Sequence, residues 1–207
     1  MKNVLFFLIL PLAFVFTKIG NTNEPEMVFS YVIYVIIDFF MSICLSFVYM
    51  LFKREKKLKA LGIMTVALVL IDQGLKILVS RFHIQINVIG EYFQIQEHRN
   101  IHQFAGLNFL NIYLNQYAVV LIKIALIVIL VVVIIRSFKR NKEYISVSLL
   151  MIAAAVASLL DSILWGYTLD YFYFYNFICY DLKDFYVDAA LGLILMKQVS
   201  SHIASKQ

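Results

Sequence analysis

Long apolar runs decide what this chain can fold into. They fall at about residues 3–17 (interrupted by Pro11), 27–52, 61–79, 117–135, 145–165 and 186–199. A helix needs roughly 20 apolar residues to cross a hydrocarbon core of about 30 Å, and several of these runs approach that length. Of the 207 residues, 62% are hydrophobic and 15% charged, whereas soluble domains carry about half and about a quarter. A water-soluble core of this size has no room for so much apolar surface. The expected fold class is an all-α polytopic membrane protein of about six transmembrane helices.

The positions of Lys and Arg orient those helices. Lys53, Arg54, Lys56, Lys57 and Lys59 crowd between the second and third runs, and Arg136, Lys139, Arg140 and Lys142 between the fourth and fifth. Basic loops stay cytoplasmic, which puts Lys2 and the tail from Lys197 to Lys206 on the same side. The net charge of +5 is thus read as a topology signal, and no nucleic-acid partner is expected. The first run has Lys2 ahead of it like a signal peptide, yet Phe14-Val15-Phe16-Thr17-Lys18 offers no small residues for cleavage. It is expected to remain as a helix.

Residues 18–26, 80–116 and 166–185 then face outward. Within the second of these, His83-Ile84-Gln85-Ile86-Asn87-Val88 alternates polar and apolar, Gly90 offers a turn, and Tyr92-Phe93-Gln94-Ile95-Gln96 resumes the alternation. A small half-buried hairpin on the membrane surface is expected there. Tyr171-Phe172-Tyr173-Phe174-Tyr175 reads as an aromatic loop at the water–lipid interface. Cys44 and Cys179 show no metal-ligand spacing and no disulfide framework.

Ionisable groups in or at the ends of membrane helices are costly and call for a partner or a task. Asp72 and Lys76, four apart, share one helix face; an internal ion pair and a polar wall around a site both fit that spacing. Lys123 is expected to snorkel toward an interface and is given no role. Asp161 and Asp170 bracket the outer end of the fifth run, and Asp188 opens the sixth. Two carboxylates can therefore meet at the outer membrane boundary, sharing one proton as in aspartic proteases. Plain surface aspartates at helix ends fit the same spacing.

These residues fall into a pattern that resembles the lipoprotein signal peptidases (signal peptidase II), a family of bacterial intramembrane aspartyl proteases. Asp72-Gln73-Gly74-Leu75-Lys76 resembles that family's D-Q-x-x-K motif. Glu97-His98-Arg99-Asn100, with Phe104 after it, is similar to R-N-x-G-A-A-F. Asp161 followed by Gly166-Tyr167-Thr168-Leu169-Asp170-Tyr171 is similar to D-R-x-x-x-G-x-V-V-D-F, with the same nine-residue step between aspartates. Phe185-Tyr186-Val187-Asp188-Ala189-Ala190 is similar to F-N-x-A-D-S-A. The resemblance spans about residues 60–200.

The resemblance implies a division into two added N-terminal transmembrane helices, residues 1–58, and a four-helix core, residues 59–207, with an outer β-cradle at about 80–110. It implies a catalytic dyad of Asp170 and Asp188. In support, Asp72 and Lys76 would shape the site, Arg99 and Asn100 would lie near it with Asn100 touching substrate backbone, and Asp161 would brace the loop. The implied substrate is a prolipoprotein carrying diacylglyceryl on a cysteine, cut just before that cysteine while the hairpin and the aromatic loop grip it. The implied setting is the bacterial cytoplasmic membrane, with both termini inside, the site facing outward and the protein monomeric. Two carboxylates and water suffice, so no metal or cofactor is expected. The chain departs from the motifs at Ala157-Ser158, where the family has Gly-Asn, at Ser162 for its Arg, at His102-Gln103, and at Phe185 and Tyr186 where its Asn is expected. These departures keep a non-catalytic relative that binds lipidated peptides or a membrane partner as the alternative. A small transporter is the third reading, disfavoured by the lack of inverted repeats.

Overall fold

The structure, a computed structural model, describes residues 4–19, 25–53, 58–103, 114–140 and 145–204. Lys2, Arg54, Lys56, Lys57, Phe104, Lys142 and Lys206 lie outside the described residues. A short 3-10 turn at Val4–Leu8 leads into α1 (Ile9–Ile19), and α2 (Pro25–Lys53) and α3 (Leu58–Arg81) follow. Strands β1 (Ile86–Ile89) and β2 (Phe93–Asn100) precede α4 (Gln116–Arg140) and α5 (Ile145–Leu164). Strands β3 (Thr168–Phe174) and β4 (Ile178–Tyr180) then lead into α6 (Leu182–Ala204).

Four helices among the described residues are long and apolar enough to cross a membrane, over Glu26–Phe47, Gly62–Arg81, Gln116–Val133 and Val147–Leu164. They coincide with the second to fifth apolar runs. The first run yields only the 11-residue α1 after its 3-10 turn. The sixth lies in α6, where Lys183, Asp184, Asp188 and Lys197 dilute the apolar character. Helix α4 leaves Leu121, Leu126, Val128, Ile129 and Ile135 exposed. An outward apolar face of that kind suits a helix whose solvent is lipid.

Helices α5 and α6 form the centre, with α3 and α4 packed on α5 and α2 packed on α6. Small residues permit the close approach: Ala153, Ala154 and Ala157 on α5, and Ala189 and Ala190 on α6, are all buried. Gly192 serves the N-terminal turn in the same way, since a Cβ there would run into the ring of Phe7. The phenolic hydroxyl of Tyr186 reaches from α6 to the Leu68 carbonyl of α3 at 3.0 Å.

The expected hairpin is present, with Gly90 at φ +54° in its turn. It is half of a larger element. The aromatic segment expected as a loop is strand β3, and the sheet runs β1-β2-β3-β4, antiparallel throughout. The physical reason is cross-strand pairing: Phe93 faces Phe174 and Ile95 faces Phe172, with the Phe93 and Phe174 rings stacked at 5.0 Å. A register slip between Ile95 and His98 then re-aims the strands, as bulges do, and leaves His98 opposite Asp170.

Candidate active site

The site is built where α3, α5, β3 and the start of α6 converge. Asp72 and Lys76 lie one turn apart on α3, and both are fully buried. The Lys76 ammonium contacts three carboxylates: Asp72 at 2.9 Å, Asp161 of α5 at 2.7 Å and Asp181 at 2.7 Å. Gln73 donates to Asp161 at 2.8 Å and to Asp72 at 3.2 Å. A second ammonium, Lys183, is ion-paired with Asp181 and lies 3.4 Å from Asp161 and 3.8 Å from Asp170.

The first turn of α6 fixes two of these acids. Asp181 precedes the helix and accepts the Asp184 N–H at 3.3 Å, while Asp184 accepts the Asp181 N–H at 3.1 Å. This reciprocal arrangement is a capping box with aspartates in both roles, and the Tyr171 hydroxyl accepts the Leu182 N–H beside it at 3.1 Å. Acidic groups are also favoured there by the helix dipole. The result brings carboxylate oxygens of Asp170, Asp181 and Asp184 within 4.8 Å of one another.

Asp170 and Asp181 hold protons differently, and Asp184, pushed well above the ordinary carboxylate range by burial and by Asp181, sides with Asp170. Burial pushes the Asp170 carboxyl up to about 7, with Lys183 pulling it down and Asp181 adding to the rise. Burial also opposes ionisation of Asp181, but the Lys183 and Lys76 ammonium groups outweigh it and hold that carboxyl below its ordinary range. A buried acid that keeps its proton to neutrality beside a further carboxylate is the arrangement acid–base catalysis needs. Among the described residues the same three carboxylates could offer ligands to a cation, and the Lys183 ammonium lies against two of them.

The family model for Signal peptidase (SPase) II matches residues 64–200 of the chain. The chain belongs to the signal peptidase II family. Membership makes it a membrane protein of a protease family. Two solved bacterial membrane enzymes share its fold. One is 20% identical with a TM-score of 0.60, over 70% of this chain and 90% of that one. The other is 21% identical with a TM-score of 0.58, over 68% and 93%. No curated protein matches the chain in sequence.

Within the signal peptidase II frame, Asp72, Lys76, Asp161 and Asp170 come together as one cluster, and Asp188 does not join it. Asp188 stands one helical turn beyond Asp184, where it accepts the Tyr180 hydroxyl at 3.0 Å and meets Asp38 of α2. The carboxylates beside Asp170 are those of Asp181 and Asp184. The signal for Asp184 lies in the family motif itself: Tyr180-Asp181-Leu182-Lys183-Asp184 has the aromatic and aspartate spacing of F-N-x-A-D, with Asp181 for Asn and Lys183 for Ala.

Arg99 and Asn100 sit at the far end of β2. The Arg99 side chain is exposed, paired with Glu97 at 2.6 Å and stacked over Tyr167 at 5.2 Å. Asn100 accepts the Gln103 N–H at 3.3 Å. Lys123 corrects a further expectation, since it does not snorkel. It is 3% exposed and donates to the Ser162 hydroxyl at 2.7 Å and the Ser158 carbonyl at 2.9 Å. A cation from α4 thus reaches the position where the family carries the Arg that Ser162 replaces. Gln103 completes that corner, bonding Ser162 and donating to the Gly166 carbonyl at 2.9 Å.

Proposed function

We propose that this chain is an intramembrane aspartyl endopeptidase that removes the signal peptide from diacylglyceryl-modified prolipoproteins, with Asp170 and Asp184 as its acid–base pair. The observation that carries the reading is the approach of the Asp170 and Asp184 carboxylates at the outer end of the helical core. One carboxylate takes a proton from water as the water oxygen attacks the scissile carbonyl carbon. The other, protonated, gives its proton to the departing amine as the C–N bond breaks, and the two exchange roles for the next turnover.

A cavity of about 420 Å³ supports the lipid-bearing substrate. It lies between α4, α5 and α6, is walled by Leu126, Ile129, Leu130, Met151 and Ala154, and ends on Lys183 and Asp184. An apolar chain lying there would hold its polar end at the acids. In this reading the six apolar runs all lie in the bacterial cytoplasmic membrane, with both termini inside, the acid pair facing outward, and a monomer as the working unit. Residues 1–58 are an addition to the core at 59–207. The β2–β3 sheet and its aromatic face grip the substrate, Asn100 reaches its backbone, and Asp72, Lys76 and Asp161 hold the acids in place.

The second reading is a non-catalytic relative that binds lipidated peptides or a membrane partner. The Lys183 ammonium, 3.8 Å from Asp170, favours it. Purified protein incubated with a diacylglyceryl prolipoprotein separates the two. Cleavage lost in Asp170→Asn and in Asp184→Asn supports the enzyme, whereas lipopeptide binding with no cleavage by the native chain supports the relative.

A further inference from the structure

The added helix α2 buries one stripe of its surface, Tyr31, Tyr34, Asp38, Ser42 and Leu45, at the three- and four-residue spacing of a single helix face. Two of these residues are polar anchors onto the catalytic half. The Tyr34 hydroxyl donates to the Tyr180 hydroxyl at 3.0 Å, and Tyr180 in turn donates to Asp188 at 3.0 Å. Asp38, fully buried, approaches Asp188 from the other side, and neither of its carboxylate oxygens meets a donor among the described residues. With no other partner for either Asp38 oxygen among those residues, the contact can hold only as a hydrogen bond through a shared proton and not as an ion pair.

Both anchors end on the segment that carries the acid pair. Tyr180 is the last residue of β4 and immediately precedes Asp181, and it pairs with Phe172 of β3, two residues after Asp170. The Tyr34 ring packs edge-on against Phe174, Phe177 and Tyr180 at 5.2–5.4 Å. Asp188 lies on the same face of α6 as Asp184, one turn on. The strand bearing Asp170 and the helix start bearing Asp184 are therefore gripped together by one face of α2.

We infer that α2 positions the acid pair, with Asp38 and Tyr34 as positioning residues that hold Asp188 and Tyr180 and thereby the turn from Tyr180 to Asp184. Asp188 is the receiving end of this clamp. Because a displacement of about 1 Å at reacting groups costs on the order of a hundredfold in rate, the clamp bears on turnover more than on substrate binding. Only that last consequence rests on the protease reading; the clamp itself does not.

Hydrogen exchange of the full chain in detergent, read by mass spectrometry over residues 178–186, tests the clamp whether or not the protein cleaves anything. Asp38→Leu removes the hydrogen bond, whereas Asp38→Asn keeps a donor for Asp188. Exchange in that segment is expected to rise about tenfold in Asp38→Leu and in Tyr34→Phe, and to stay at the native level in Asp38→Asn. In the cleavage assay Asp38→Leu is expected to lose about tenfold or more in kcat with KM within about twofold, again restored by Asn. Native exchange in Asp38→Leu overturns the inference, and so does an Asn variant as loose as the Leu one. A native chain that cleaves nothing, with the exchange pattern as expected, sinks the proposed function and leaves the clamp standing.

Discussion

At the scale of single residues, the site is a problem of too many carboxylates. Among the described residues, Asp72, Asp161, Asp170, Asp181 and Asp184 gather around the ammonium groups of Lys76 and Lys183, so protons have to stay in the cluster, and burial keeps them on Asp170 and, more firmly, on Asp184. The unfolded chain releases the Asp170 proton near the ordinary value of 3.8, while the fold holds it to about 7. Between those values the folded state binds one proton more than the unfolded. This group's contribution is therefore most favourable below about 3.8 and falls as pH rises toward 7. Because Asp184 holds its proton further than Asp170, a pair that needs one base and one acid is expected to gain activity as Asp170 ionises near pH 7, in a pH–rate profile on prolipoprotein; a rate that falls through pH 7 contradicts this. Lys76 joins three buried acids, so Lys76→Met leaves uncompensated charge. The expected loss is about 3–5 kcal/mol, seen as a lower thermal midpoint in detergent.

Much of this was legible in the sequence. The four-residue step from Asp72 to Lys76 and the nine-residue step from Asp161 to Asp170 pointed to the residues that meet. The choice between Asp184 and Asp188 was legible in the spacing, since Tyr180 to Asp184 keeps the four-residue step of F-N-x-A-D and Phe185 to Asp188 falls one short, but the motif's Asn and Ala are Asp181 and Lys183 here and obscured it. What distinguishes Asp184 is its reciprocal hydrogen bond with Asp181, a property of the folded helix start. Lys123 misled for a related reason: its partners Ser162 and Ser158 come from another helix.

At the scale of elements, the sheet couples the outer loops to the acids. The alternation in residues 83–96 announced the hairpin, although all four residues of β1 are exposed and burial is confined to β2. The run Tyr171 to Tyr175 carried no such alternation because aromatics occupy both faces of β3, and its strand character rests on pairing with β2 and β4. The entry to β3 depends on Gly166, at φ +74° with Gln116 packed against it, a conformation costing other residues about 1–2 kcal/mol. Gly166→Ala is expected to lower stability by that amount and to slow cleavage more than it weakens binding, since Asp170 lies four residues downstream. Thermal unfolding together with a kcat and KM comparison checks both; unchanged kcat argues that β3 does not depend on that turn.

At the scale of the whole molecule, composition and charge pattern were enough to call for a membrane, and four described helices meet the length and apolarity required. The polar start of α6 hid its character, because the residues that make it useful are those that make it look less like a span. In the proposed orientation, with both termini inside and the sheet outside, reporter fusions after Gln207 are expected to be active only in the cytoplasmic form. A cysteine placed at Glu91, in the exposed hairpin turn, is expected to react with a membrane-impermeant maleimide added to intact cells. Labelling only after lysis would invert the topology and place the acids on the wrong side.

The most direct test of the central claim is single-turnover cleavage of a diacylglyceryl prolipoprotein by four proteins: native, Asp170→Asn, Asp184→Asn and Asp188→Asn. Loss of one member of an acid–base pair costs about 10²–10⁴-fold. The expected result is a loss of that size in the Asp170 and Asp184 variants, with Asp188→Asn slowed about tenfold or less, as a clamp residue that still bonds Tyr180. A chain in which Asp184→Asn cleaves as fast as native while Asp188→Asn is dead contradicts the account.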